Sequence, residues 1–138
     1  MKRPGRGFTL IELLVSIAII GILAAVVLSS LGDARERGIE AKVISELSIL
    51  QKRATIEESI ALSYDVVCGS NGETQATQVV AIIESINRIA SSSVICNSSP
   101  DAYAASAPIL GTDHWCVDSL GKAIATTSPL ASGTLACE

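Results

Sequence analysis

Aromatic residues are scarce in this chain. They make up 3% of its 138 residues, with Phe8 as the only phenylalanine and Trp115 as the only tryptophan. Because 49% of the residues are nevertheless hydrophobic, the apolar material is Ile, Val, Leu and Ala, and much of it lies before residue 32. The remainder is sufficient for one small domain with a modest core.

Several chemical signatures are also missing. The four cysteines form no CxxC pair, which argues against structural zinc, and the chain has neither a glycine-rich phosphate loop nor a metal-ligand spacing. The single histidine, His114, lies two residues before Cys116, but a cysteine nucleophile needs a free thiol. We therefore predict that the protein is not an enzyme and has neither a cofactor nor a metal.

Basic residues are few after the apolar N-terminal segment. From Asp33 onward, thirteen acids face seven bases, so this part of the chain carries a net charge of −6. A nucleic-acid-binding surface requires a basic face. The sequence thus predicts no nucleic-acid partner.

All four cysteines lie in the second half of the chain. An even number in a small domain after a hydrophobic segment is typical of disulfides formed in an oxidising compartment. Three connectivities are possible. We favour Cys68–Cys96 and Cys116–Cys137, because sequential pairing closes short loops.

Nineteen consecutive residues, 13–31, carry no charge. As a helix they would span about 28 Å, close to the hydrocarbon thickness of a bilayer. Three bases, Lys2, Arg3 and Arg6, precede this segment and predict a cytoplasmic N-terminus with the rest of the chain outside. The apolar segment could be a plain membrane anchor or a cleaved signal peptide. Glu12 fits neither, because an acidic side chain at membrane depth is energetically costly.

The segment "RGFTLIELLVSIAIIGILAAVV" resembles the N-terminus of type IV pilins and of the related pseudopilins of type II secretion. The resemblance implies that residues 1–7 are a basic leader, that a prepilin peptidase cuts between Gly7 and Phe8, and that the new N-terminal Phe8 is methylated. It also makes Glu12 an assembly residue, whose carboxylate pairs with the freed amine of a neighbouring subunit.

The resemblance further implies partners and a location. The partners are copies of the chain, other pilins or pseudopilins, the prepilin peptidase, an inner-membrane assembly platform and membrane lipid. The precursor is expected in the inner membrane, and the assembled subunit in a periplasmic or cell-surface filament.

Beyond Gly32 the sequence becomes amphipathic. Apolar residues recur at intervals of four, four, three and four, which predicts one buried helical stripe: Ile39, Val43, Leu47, Leu50 and Ala54. Because no proline lies between Pro4 and Pro100, we expect the first helix to run from about residue 8 to 63. Arg53 and Glu57 have the spacing of an i,i+4 ion pair.

The turn-rich segment "CGSNGET" follows, and Thr74 is predicted to cap a second helix at about residues 75–90. Residues 91–101 are expected to form a loop. Three strands, within 102–110, 114–118 and 122–126, are expected to form an antiparallel meander.

These segments predict an α+β, pilin-like fold, in which a long N-terminal helix packs on a small head tied by disulfides. The expected domain boundaries are a cleaved leader at 1–7, a transmembrane and assembly helix at 8–32, the amphipathic half of that helix at 33–65, and a globular head at 66–138.

Two weaker signals lie in the head. Major pseudopilins bind calcium through an acidic C-terminal loop, but Asp113 and Asp118 lack the dense ligand pattern of such a site. Asn97-Ser98-Ser99 is a formal glycosylation sequon, a tripeptide that is common by chance.

Three functions remain open on the sequence. The first is a type IV pilus-like filament subunit, and the second is a type II secretion pseudopilin built from the same N-terminal residues. The third is an extracytoplasmic binding domain on a plain membrane anchor, which predicts an unprocessed monomer.

Overall fold

The computed structural model describes residues 7–138, so the predictions for the basic leader residues Lys2, Arg3 and Arg6 lie outside the described part of the chain. Two compact units are present, one ending at Arg35 and the other covering Glu36–Glu138. The secondary structure comprises α1 (Leu10–Ala61), α2 (Asp65–Cys68), α3 (Thr77–Ala90), β1 (Ile95–Ser99), β2 (Ala102–Pro108), β3 (His114–Asp118) and β4 (Ala123–Thr126).

In the first unit, the apolar surface of α1 is uncovered. The large hydrophobic side chains between Leu10 and Leu31 are 52–78% exposed. By length and composition α1 can cross a membrane, since an 18-residue window has a mean hydropathy of 2.8 and none of it is buried. Soluble monomers rarely expose an apolar surface of this extent.

The core of the second unit forms where α1 and α3 meet the sheet. Four residues of the predicted α1 stripe are buried: Val43, Leu47, Leu50 and Ala54. From α3, Val79 and Ile86 join them in one hydrophobic cluster. The Ser85 hydroxyl also donates a hydrogen bond to the Glu46 carboxylate on α1, at 3.3 Å. The predicted ion pair between Arg53 and Glu57 is present as well.

The four strands form an antiparallel sheet in the order β1-β2-β3-β4. Strand β2, "AYAASAP", is one of the two inner strands and is buried on both faces. Because side chains alternate along a strand, Tyr103, Ala105 and Ala107 join the core with the helices. On the other face, the Ser106 hydroxyl accepts a hydrogen bond from the Leu130 N–H, so the C-terminal segment covers that side. The small side chains on β2 allow the helices on one face and the C-terminal segment on the other to approach the sheet closely.

The predicted α+β fold is confirmed: a long apolar N-terminal helix, a short helix and a small antiparallel sheet with two disulfides are all present. Three local expectations were wrong. The expected loop at 91–101 contains strand β1, and a one-turn helix that was not expected, α2, lies between α1 and the turn-rich segment. The residue before α3 is Ala76, without a side-chain cap, so Thr74 does not cap this helix.

Candidate processing and assembly site

Gly7, Phe8 and Thr9 precede the first residue of α1 and have no regular secondary structure. Phe8 is 78% exposed, and a Cβ added at Gly7 would meet no atom within 4 Å. Proteases act preferentially on exposed segments without secondary structure. The Gly7–Phe8 bond is therefore accessible in the described structure.

Thr9 and Glu12 form a reciprocal hydrogen-bonded pair at the start of α1. The Thr9 N–H donates to Glu12 Oε2 at 2.9 Å, and the Glu12 N–H donates to Thr9 Oγ1 at 3.3 Å. The Thr9 carbonyl accepts the first helical bond, from the Leu13 N–H at 3.3 Å. This is a capping box, in which Thr9 is the N-cap residue and Glu12 the third helical residue.

The two oxygens of the Glu12 carboxylate differ. Oε2 accepts hydrogen bonds from both the N–H and the hydroxyl of Thr9, the latter at 2.8 Å. Oε1 has no hydrogen-bond partner within residues 7–138, and Glu12 makes no salt bridge there. One oxygen thus remains free to accept a cation while the other holds the end of the helix.

Thr9 is the residue of this site that the sequence interpretation missed. The signal was readable, because Thr-x-x-Glu directly before an apolar helical run is the pattern of a capping box. Its consequence is that Glu12 has a local structural role in addition to any role in assembly. The two roles can be separated experimentally, since glutamine supports a capping box but carries no charge.

The cysteines lie in the second unit. Cys68 at the end of α2 is bonded to Cys96 on β1, with a Cα–Cα distance of 5.5 Å. Cys116 on β3 is bonded to Cys137, with a Cα–Cα distance of 5.8 Å. Because all four cysteines are bonded, the arrangement offers no free cysteine nucleophile for His114.

The two acids considered for calcium have different surroundings. Asp118 is buried, and its carboxylate accepts three backbone N–H groups, those of Leu120, Lys122 and Cys137. Asp113 is exposed in the turn before β3. Within residues 7–138, no cluster of three or more His, Cys, Asp or Glu side chains could hold a metal ion.

The sequon asparagine is held by the protein itself. The Asn97 side-chain amide donates hydrogen bonds to the Ala131 and Thr134 carbonyls, at 2.8 and 3.0 Å, and lies within strand β1. A glycan on this nitrogen would require the release of the C-terminal segment.

The N-terminal segment of the chain is similar to that of known proteins. A family model described as the prokaryotic N-terminal methylation motif matches residues 2–28. The chain is also 38% identical over 53 residues to the type II secretion system core protein G of Dickeya chrysanthemi, a match that covers 38% of this chain and 35% of the relative. No solved structure matches the chain. The chain carries the prokaryotic N-terminal methylation motif, and the resemblance of its N-terminal segment to the type IV pilin and pseudopilin family is confirmed.

Proposed function

We propose that this chain is a structural subunit of a type IV pilus-like filament, which is cut between Gly7 and Phe8 and polymerises through its N-terminal helix. The observation that carries the proposal is the matched methylation motif, whose Gly7–Phe8 bond is exposed just before a capped and uncovered apolar helix. The protein is proposed to have a structural role and no enzymatic activity.

The chemistry of assembly follows from the two charges that cleavage brings together. Cutting after Gly7 gives Phe8 an α-amino cation, and Glu12 lies about one helical turn further along the chain. In a low-dielectric environment opposite charges attract far more strongly than in water, and an unpaired charge is costly. We propose that Glu12 Oε1 accepts the amine of a neighbouring subunit, which fixes the axial register between the two chains.

The uncovered apolar part of α1 supports a place in the inner membrane before assembly. Lipid covers this surface in the precursor, and the corresponding helices of other subunits cover it in the filament. With the N-terminus in the cytoplasm and the disulfide-tied head outside, the proposed partners are the prepilin peptidase, an inner-membrane assembly platform and other pilins or pseudopilins. The assembled filament would be periplasmic or on the cell surface.

The mature N-terminus tests the processing step. Mass spectrometry of the purified chain is expected to find a methylated Phe8 as the first residue. Gly7→Leu should abolish the cut, whereas Gly21→Leu is the matched control, because an added Cβ meets no atom at either position. A retained Met1, or a cut near Gly32, would contradict the proposal.

Substitution of Glu12 separates assembly from capping. Glu12→Gln keeps the capping-box pattern but removes the charge, whereas Glu12→Val removes both. We expect both variants to be processed and both to be strongly impaired in filament incorporation when expressed without wild-type chain. If Glu12→Gln assembled as well as wild type, Glu12 would be a helix cap only, and the charge-pair mechanism would be wrong.

A type II secretion pseudopilin is the second candidate, and the match to core protein G of Dickeya chrysanthemi favours it. Both candidates share the N-terminal motif. A deletion strain distinguishes them: loss of surface filaments with normal protein secretion supports a pilus subunit, whereas loss of secretion supports a pseudopilin. A chain that stays unprocessed and monomeric in detergent would instead be an anchored binding domain.

A further inference from the structure

An apolar groove with an acidic rim lies in the second unit. Its volume is about 280 Å³, and its apolar walls come from α1, the end of α3 and the turn after β2, including Ile39, Val43, Ile109 and Leu110. This volume is slightly below the range of about 300–1,000 Å³ typical of small-molecule pockets. The groove is therefore sized for a few side chains of another protein surface.

Two acids on α1, Glu36 and Glu40, line this groove. They are one helical turn apart, and neither makes a salt bridge within residues 7–138. An apolar floor beside two unpaired carboxylates favours a partner surface that combines aliphatic side chains with a basic group.

Helix α1 itself carries exposed aliphatic side chains closer to its C-terminus. Ile49, Ile56 and Ile60 are 47%, 48% and 70% exposed, although they are large aliphatic residues. Their spacing of seven and four places them on one helix face, away from the buried stripe that contains Leu47 and Leu50. We refer to Ile49, Ile56 and Ile60 as the isoleucine stripe.

A free basic residue accompanies the isoleucine stripe. Lys52 lies three residues after Ile49 and four before Ile56, so it borders both on the helix surface. It is exposed, and the described residues give it no salt bridge, whereas the nearby Arg53 is paired with Glu57. The stripe therefore offers the complement of the groove: aliphatic side chains beside an unpaired cation.

We infer that the groove of one copy receives the isoleucine stripe of another, with Lys52 of the incoming copy beside Glu36 and Glu40. The inference rests on the proposed function, because it names the surfaces of the second unit through which subunits would contact each other. The two surfaces differ, so the contact is head-to-tail, and such a contact generates an open filament when its rotation does not close a ring. It is distinct from the N-terminal site of Glu12.

A zero-length crosslink tests the contact directly. Carbodiimide joins an amine to a carboxylate only when the two are in contact. Lys52 and Glu40 lie twelve residues apart on one helix, about 18 Å at 1.5 Å per residue, so a bond between them must join two copies. Membranes containing the full-length chain should yield a Lys52–Glu40 or Lys52–Glu36 crosslinked peptide by mass spectrometry.

Charge reversal provides the second test, with filament yield as the measurement. Lys52→Glu and Glu40→Lys should each reduce assembly at least tenfold, and the double variant should restore it, because each copy then carries both reversed surfaces. Glu84→Lys and Arg88→Glu are the matched controls, since they make the same charge changes on exposed positions of α3 outside the groove and the stripe. Both controls should assemble normally.

The outcomes separate this inference from the proposed function. A chain that is cut at Phe8 and forms filaments, but lacks both crosslinks and tolerates both reversals, overturns the groove contact and leaves the proposed function intact. A chain that is never cut and never self-associates overturns both. Loss of assembly in the single variants without rescue in the double variant also contradicts the direct pairing.

Discussion

Asp118 Oδ2 accepts a hydrogen bond from the Cys137 N–H at 2.9 Å, across nineteen residues of chain. The Cys137 carbonyl in turn accepts a hydrogen bond from the Lys122 ammonium, also at 2.9 Å. The backbone of Cys137 is thus held on both sides without its disulfide. This arrangement presents the Cys137 sulfur to Cys116, which lies on β3 with Asp118, and the two cysteines are bonded.

Asp118→Asn should destabilise the head. The asparagine oxygen can still accept hydrogen bonds from the N–H groups of Leu120 and Lys122. The asparagine NH₂ group would then face the Cys137 N–H, and that buried donor would have no acceptor. An unsatisfied buried donor costs about 1–3 kcal/mol. Urea unfolding of the detergent-solubilised chain, followed by Trp115 fluorescence, measures the loss. The exposed Asp113→Asn is the control, and an equal effect of both substitutions would show that the Asp118 contacts are unimportant.

In the second unit, the sequence predicted the buried helix face better than it predicted β1, a strand at the edge of the sheet. The stripe from Val43 to Ala54 was readable because helical burial repeats with a fixed period and depends on local residues alone. Strand β1, "ICNSS", has no such pattern: its burial comes from α2 on one side and from the C-terminal segment bound by Asn97 on the other. Those contacts are distant in sequence, so no local signal reports them. Thr9 differs from β1, because its role is readable from the local Thr-x-x-Glu pattern and was nevertheless missed.

Leu47→Ala should be among the most destabilising single substitutions in the second unit. Leu47 is fully buried between α1 and the sheet, and truncation there leaves a cavity as well as removing apolar contacts. Leucine-to-alanine changes in cores cost about 2–5 kcal/mol. Ile49→Ala, two residues away at a 47% exposed position, should change the stability of the monomer by less than about 0.5 kcal/mol. Similar unfolding midpoints for the two variants would contradict the described core.

Alkaline pH should destabilise the head through Tyr103. Burial raises the pKa of Tyr103 above its usual value of 10.0, and the nearby Tyr64 and Asp118 raise the pKa further. The folded state therefore keeps the phenol proton at pH values where the unfolded chain releases it. This contribution to stability is fully present below about pH 10 and is lost above it, by at most about 1.4 kcal/mol per pH unit.

Comparison with Tyr103→Phe isolates that effect. The difference in unfolding free energy between wild type and Tyr103→Phe should be constant from pH 7 to 9 and should then change in favour of the phenylalanine variant. Tyr64→Phe serves as the control for the partner ring, whose centroid lies 5.2 Å from that of Tyr103. A parallel pH dependence of the wild-type and Tyr103→Phe chains would contradict the buried phenol.

Non-reducing peptide mapping should find the two linkages Cys68–Cys96 and Cys116–Cys137. Each closes a short loop, of 28 and 21 residues, and loops of this size are expected to stabilise a domain by about 3–4 kcal/mol. Because Asp118 and Lys122 already position Cys137, the second pair should re-form faster than the first when the reduced chain is reoxidised. Any crossed linkage, or faster closure of Cys68–Cys96, would contradict this order.

Removal of the Thr9 hydroxyl should loosen the start of α1 without changing the charge of Glu12. Thr9→Val keeps the shape of the side chain but can neither accept from the Glu12 N–H nor donate to Glu12 Oε2, whereas Thr9→Ser keeps both hydrogen bonds. Hydrogen exchange at the amides of residues 10–13, measured on the detergent-solubilised chain, should be faster in the valine variant and unchanged in the serine variant. If filament incorporation fell in Thr9→Val as far as in Glu12→Gln, an ordered first turn would be as necessary for assembly as the carboxylate charge. If incorporation stayed normal while exchange increased, the charge of Glu12 would act independently of the capping box that holds it.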